Sequence, residues 1–263
     1  MKRIVITAVM MTMASVLLAG EPLPWIEVEP GLEATRFDTR TRKSAAKGDL
    51  IVIRIDPGIW DLKVLTAERK GDGADRNVRQ WCEDFGLKAA INAGMFQADN
   101  STHVGLMQVD GQILNKSANG YRSAAAFDPV DPADPPFRIF DLDETPLKDI
   151  QEKYRTVVQN LRLIKRPRHN RWEPGKDKWR ECALGEDSAG RALFLACRTA
   201  WTMAEFNDIL LALPLDIQAA QHLEGSATAR LWLAHPRLEG WTGGAHGGPV
   251  LPNVLGVVPK AVP

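Results

Sequence analysis

His222-Leu223-Glu224-Gly225 brings together the side chains of this chain best suited to acid–base work. On a strand, residues two apart share a face, so His222 and Glu224 would point the same way. Imidazole titrates near neutrality, and a carboxylate can activate a water or balance developing positive charge. Gly225 and the small residues after it, Ser226 to Ala229, read as a turn whose backbone amides can face an oxyanion. A carboxylate at 224 can also ligate a divalent cation, although one carboxylate does not define a metal site. Other candidates are spread along the chain. Asn92 and Gly94 lie in an Asn-Ala-Gly-Met-Phe turn; there an amide can donate to a sugar or phosphate oxygen or cap its own turn. Gln159 alternates with Val158 on an apolar strand, as a ligand group or a satisfied core amide. Arg180 offers a guanidinium that fits a phosphate or a structural ion pair. His103 is a further candidate general acid.

Lys165, Arg166, Arg168, His169 and Arg171 form the densest run of positive charge, either the rim of an anion-binding cleft or a solvated loop. Trp172 and Trp179 nearby suit a carbohydrate platform or loop packing. The whole chain is neutral, with 33 Lys+Arg against 33 Asp+Glu over 263 residues, which argues against a general nucleic-acid binder. A hydrophobic content of 44% is that of a folded globular protein. No zinc-type Cys/His spacing, phosphate-cradling glycine loop or G-x-S-x-G elbow occurs.

The elements that must position these groups read mainly as strands. Residues 50–56 alternate, with Ile51, Ile53 and Ile55 on one face, and Pro57-Gly58 turns the chain into a second strand at 61–67. Val78, Trp81, Cys82 and Phe85 recur at helical spacing before Gly86, which predicts a helix over 75–85. Residues 87–91 read as a strand, and 104–109 and 112–115 as a hairpin about Asp110-Gly111. The proline-dense stretch 128–136 is a surface connection. Strand character returns at 155–164. Two further strands flank Ser188-Ala189-Gly190; with Ala189-Gly190 as the turn, Cys182 and Cys197 would face each other and could form a cross-strand disulfide. Cys82 reads as an inert core thiol. Thr202 and Glu205 form a capping box for a helix that buries Phe206, Ile209, Leu210 and Leu213. Strands follow at 216–223, 229–234 and 254–259, and the glycine-rich stretch 240–249 reads as a loop or lid. The expectation is an α+β fold, largely antiparallel sheet with a few packed helices, in a single domain.

At the N-terminus, Lys2 and Arg3 precede an almost unbroken apolar run from Ile4 to Leu18, then Ala19-Gly20. Residues 1–20 read as a signal peptide, with an uncleaved anchor as the alternative, and place the protein outside the cytoplasm, secreted or periplasmic. The run is short for a membrane span, and no other stretch is suited to one. Residues 21–49 read as an N-terminal extension before a domain over 50–263.

Four separated segments occur in a telling order: INAGMF at 91–96, HVGLMQVDGQILN at 103–115, VVQNLRLI with WRECALG over 157–185, and HLEGSATARLWL at 222–233, closed by PNVLGVV. Together they resemble the phosphodiester glycosidase family. Its signatures are an NGG/NAG-x-F turn, P-x-G-L, Q-x-G-P-x-L, R-x-A-x-G, L-D-G-G-x-S-S and a P-N-x-L-G-V ending. This chain departs at Glu224 for the family aspartate, at Ser226 to Ala229 after the first glycine, at His103 for proline, and at Leu161-Arg162 for Gly-Pro. The resemblance implies hydrolysis of a sugar-1-phosphodiester. Glu224 would be the working carboxylate, with Asn92, Gly94, Gln159, Arg180 and Gly225 around sugar and phosphate. The alternative it leaves open is a non-catalytic glycan-binding envelope protein on the same fold.

Overall fold

The structure is a computed structural model describing residues 24–39, 48–235, 238 and 248–261. The segment read as a signal peptide, and most of the glycine-rich stretch 240–249, lie outside the described residues.

In chain order the elements begin β1 (Ile26–Glu29), β2 (Leu32–Asp38), β3 (Asp49–Ile55), β4 (Trp60–Thr66), α1 (Ala67–Lys70), α2 (Val78–Phe85) and β5 (Ala89–Asn92). There follow β6 (Met107–Val109), β7 (Gln112–Asn115), β8 (Ser123–Pro129), β9 (Phe137–Asp141), α3 (Leu147–Lys153), β10 (Tyr154–Asn160), β11 (Arg162–Lys165) and β12 (His169–Asn170). The last are β13 (Trp179–Asp187), β14 (Ala192–Trp201), α4 (Met203–Ala212), β15 (Ile217–Gly225), β16 (Leu231–Leu233) and β17 (Asn253–Pro259).

These strands form three sheets: β1-β2-β3-β14-β13-β15-β11-β12, β7-β6-β10-β8-β9 and β16-β5-β17-β4. Every strand pairing described is antiparallel. The sheets share one central core, to which each turns alternate residues: Ile51, Ile53 and Phe194 from the first, Val109 and Ile139 from the second, Ile91 and Val257 from the third. A helix covers each outer face. α4 lies on the first sheet with Leu50 and Val52, α3 on the second with Tyr154, and α2 on the third with Trp232. The mostly antiparallel α+β expectation therefore holds.

The helix signals act as read, with one shift. α4 starts at the Thr202/Glu205 capping box, and Phe206, Ile209, Leu210 and Leu213 are buried. α2 ends at Gly86 but starts only at Val78, because Asn77 and Gln80 form their own capping box there.

Three expectations need correction. The stretch read as an extension supplies β1 and β2, and β2 pairs with β3 along its whole length, so the sheet starts well before residue 50. The strand read over 155–164 is two strands in different sheets, parted at Leu161. The hairpin after β13 closes with three residues, not two: Gly190 takes a left-handed φ of 77° and its N–H donates to Asp187 O. That slips the ladder by one position, so Glu181 pairs with Cys197 and Cys182 with Ala196. Cys182 then enters the central core and Cys197 the core under α4, and Cys82, Cys182 and Cys197 are all free thiols.

Candidate active site

β13 and β15 run side by side, but β15 carries an extra residue at Leu223. Ala183 pairs with His222 and Cys182 with Glu224. Such a bulge re-aims the side chains around it. His222 and Glu224 consequently stand across consecutive residues of β13, which point to opposite faces. Their predicted sharing of one face is overturned by this single inserted residue.

Glu224 is half-buried where β15 runs out into the turn. Its Oε1 accepts the Gly225 N–H at 2.9 Å. Burial holds its carboxyl above the usual range, opposed by the Gly225 amide, His222 and the Thr228 hydroxyl. The turn is fixed from both sides. Thr228 Oγ1 donates to Gly225 O at 3.0 Å, and the Ser226 N–H donates to Arg180 O at 3.0 Å. Gly225 lies against Trp179: a Cβ there would come within 3.1 Å of the indole Cδ1. Ser226, at a family glycine position, holds a left-handed φ of 57°.

Asn92 ends β5 and ties that strand to the same turn. Its Oδ1 accepts the Arg230 N–H at 2.8 Å, and its Nδ2 donates to Thr228 O at 3.2 Å. One donor and one acceptor position of the amide remain. Asn92 is thus tied by direct hydrogen bonds to the residues that follow Glu224. Gly94 lets this corner pack closely. A Cβ there would stand 2.3 Å from His103 Cε1 and 2.5 Å from Asn160 Oδ1. Ala93 between them is gripped on both sides: its N–H donates to Asn253 Oδ1 at 3.2 Å, and its O accepts Asn160 Nδ2 at 3.1 Å.

Three predicted site residues are enclosed by the fold. His103 is 3% exposed, its Nε2 donates to Gln159 O at 2.9 Å, and burial pushes its pKa down to about 4. A neutral, enclosed imidazole does not supply a proton at neutral pH. Gln159 has no spare capacity: Oε1 accepts from the Leu106 and Asn119 amides, and Nε2 donates to Asn119 O and Tyr121 O. It is the satisfied core amide of the two readings. His222 is buried, with Nδ1 paired to Glu181, whose other oxygen accepts Trp179 Nε1–H at 2.9 Å. Burial raises the Glu181 carboxyl, against the pull of His222.

Counting back from Ala183 and Gly185, the first position of R-x-A-x-G falls on Glu181, one residue after Arg180. Arg180 is exposed and belongs to the face of Cys182 and Glu224. The basic run is mostly spent internally, not on an anion-binding rim. Lys165 pairs with Asp141 and Glu144, Arg166 with Glu186, and Arg168 donates to Leu211 O and Ile217 O. Trp172 Nε1–H donates to Arg162 O and its ring packs into the core under α4. Among the described residues, no three His, Cys, Asp or Glu side chains gather closely enough to hold a metal ion.

Sequence reasoning missed Asn160, Asn253 and Arg230. Asn253 could have been found, since it is the asparagine of the P-N-x-L-G-V ending. Arg230 carries no motif signal; its half-buried guanidinium feels the charge of Arg180.

The sequence profile of the phosphodiester glycosidase family matches residues 85–258, which include the whole of this site. The chain belongs to that family. No curated protein sequence matches it. Among solved structures, the zebrafish N-acetylglucosamine-1-phosphodiester alpha-N-acetylglucosaminidase catalytic domain, auto-inhibited by its pro-peptide, is similar at a TM-score of 0.63 and 12% identity, over 92% of this chain and 88% of that one. A hypothetical protein from Synechocystis is similar at 0.65 and 13%, over 89% of this chain and 63% of its own. A candidate exported protein from Burkholderia pseudomallei is similar at 0.51 and 12%, over 86% and 77%. At these identities the likeness is one of fold.

Proposed function

We propose that this protein hydrolyses the C1–O–P linkage of a sugar-1-phosphodiester, with Glu224 as the working carboxylate. The observation that carries the reading is the half-buried Glu224, on a turn pinned by Asn92, in a member of the phosphodiester glycosidase family. Cleavage of the C1–O bond leaves positive charge on the sugar and releases a phosphate monoester, a weakly basic anion that needs little protonation. Water adds to C1 and gives its proton to the ionised Glu224, which passes it to solvent. Asn92 and the Gly225–Thr228 turn orient the sugar, and the exposed Arg180 receives the leaving phosphate. Glu224 works in its ionised form, so turnover falls as pH drops through its raised pKa.

The apolar segment at 4–18 and the candidate exported protein among the structural neighbours support a secreted or periplasmic location. The test is release of reducing sugar from alkyl phosphodiesters of N-acetylglucosamine 1-phosphate, with and without calcium or magnesium, beside Glu224→Gln. Release that disappears in the variant supports the reading. Saccharide binding with no release would favour the glycan-binding alternative, to which the replaced Gly and Ser positions of the turn (Ser226, Thr228 and Ala229) also point.

A further inference from the structure

Arg230 is where the charges of the site do not balance. Its backbone is fixed by the N–H bond to Asn92 Oδ1, and among the described residues its side chain makes one hydrogen bond, Nη1 to Ala229 O at 2.8 Å. No carboxylate pairs with it among the described residues, whereas Arg54, Arg76, Arg162 and Arg166 all have one. A guanidinium has five N–H donors, so most of them have no acceptor among the described residues. Arg180 lies near enough to disfavour its charge, and burial acts in the same direction. Two like charges near each other, one of them half-buried, form an arrangement that an anion between them would stabilise.

The second observation is steric. Gly248, at a left-handed φ of 81°, stands over this side chain; a Cβ there would fall 2.1 Å from Arg230 Nε and 3.0 Å from both Cδ and Cζ. The space occupied by the guanidinium exists only because residue 248 has no side chain. The contact limits where the fork can lie, next to a backbone tied to Asn92.

We infer that Arg230, clamped under Gly248 and aided by Arg180, is the phosphoryl-binding residue of this site. The inference rests on the sugar-1-phosphodiester reading above and adds to it the residue that recognises the phosphate. It makes Gly248 a positioning residue that acts through Arg230.

The test is calorimetric titration of the mature protein with inorganic phosphate and with N-acetylglucosamine 1-phosphate. Wild type should bind both ligands. Arg230→Gln should weaken both at least tenfold, and Arg230→Lys should recover part of the loss, because it keeps the charge and loses the fork. Gly248→Ala changes no charge and should still weaken both about three- to tenfold. Wild-type affinity in folded Arg230→Gln or Arg230→Lys would overturn the inference, as would failure of the wild type to bind either ligand at millimolar concentration. Should Arg230→Gln not fold, the Lys and Gly248→Ala variants decide. Arg230-dependent binding without turnover would sink the reaction while leaving the phosphate site. Turnover lost in Glu224→Gln but indifferent to Arg230 would do the reverse.

Discussion

Glu181 and Glu224 sit one ladder step apart on neighbouring strands, and burial raises the pKa of both. They belong to different kinds of environment. Glu181 is 2% exposed and closed, with one oxygen on His222 and the other on Trp179. Glu224 is open: its one strong contact is the amide of the next residue, and Arg180 and Arg230, whose backbones flank its turn, have no acidic partner among the described residues. A carboxylate whose hydrogen-bonding capacity is filled by the protein builds the fold. One whose capacity is left over is available to a substrate. A raised pKa alone would not have separated the two.

The closed side gives the largest expected effect on stability. Glu181→Ala leaves the buried His222 and Trp179 donors unpaired and should cost about 3–5 kcal/mol, read from urea unfolding. Activity per folded molecule should stay within tenfold of wild type. A deeper loss of activity would place the Glu181–His222 pair in the chemistry and break the contrast.

The second effect depends on pH. The His103 pKa falls from 6.5 to about 4 in the folded state. Between those values the unfolded chain takes up a proton that the native imidazole refuses. The stabilisation is therefore complete above 6.5 and is lost as pH falls toward 4. At pH 5 the loss should be about 2 kcal/mol relative to pH 7. His103→Gln should remove that part of the slope, and an unchanged slope would contradict the enclosed, neutral histidine.

The smallest effect sharpens the open side. Ser226 bears a left-handed conformation that glycine adopts freely, so Ser226→Gly should raise stability by about 0.5–1 kcal/mol. Turnover should change less than threefold if the turn already has its working shape.

Much of the scaffold was legible because it depends on local signals. Alternating apolar residues marked β3 and β4, capping residues marked α4, and Asp110-Gly111 marked the β6–β7 hairpin. What failed depends on single-residue counting. A three-residue loop in place of a two-residue turn sent Cys182 and Cys197 to opposite faces, and one bulged residue at Leu223 did the same to His222 and Glu224. Composition marks neither event. In the site, Glu224, Gly225 and Asn92 emerged from motif order. Gln159 and His103 did not behave as polar candidates, because the Asn119–Tyr121 backbone and the Gly94 corner consume them. Arg230 was hidden because its meaning depends on a glycine distant in sequence.

The central claim is that the open carboxylate carries the chemistry. The most direct measurement is the rate of reducing-sugar release from a sugar-1-phosphodiester by Glu224→Gln and wild type at equal folded concentration. The expected result is a loss of at least about a thousandfold, with the unfolding midpoint unchanged. Turnover by Glu224→Gln within tenfold of wild type would contradict the account.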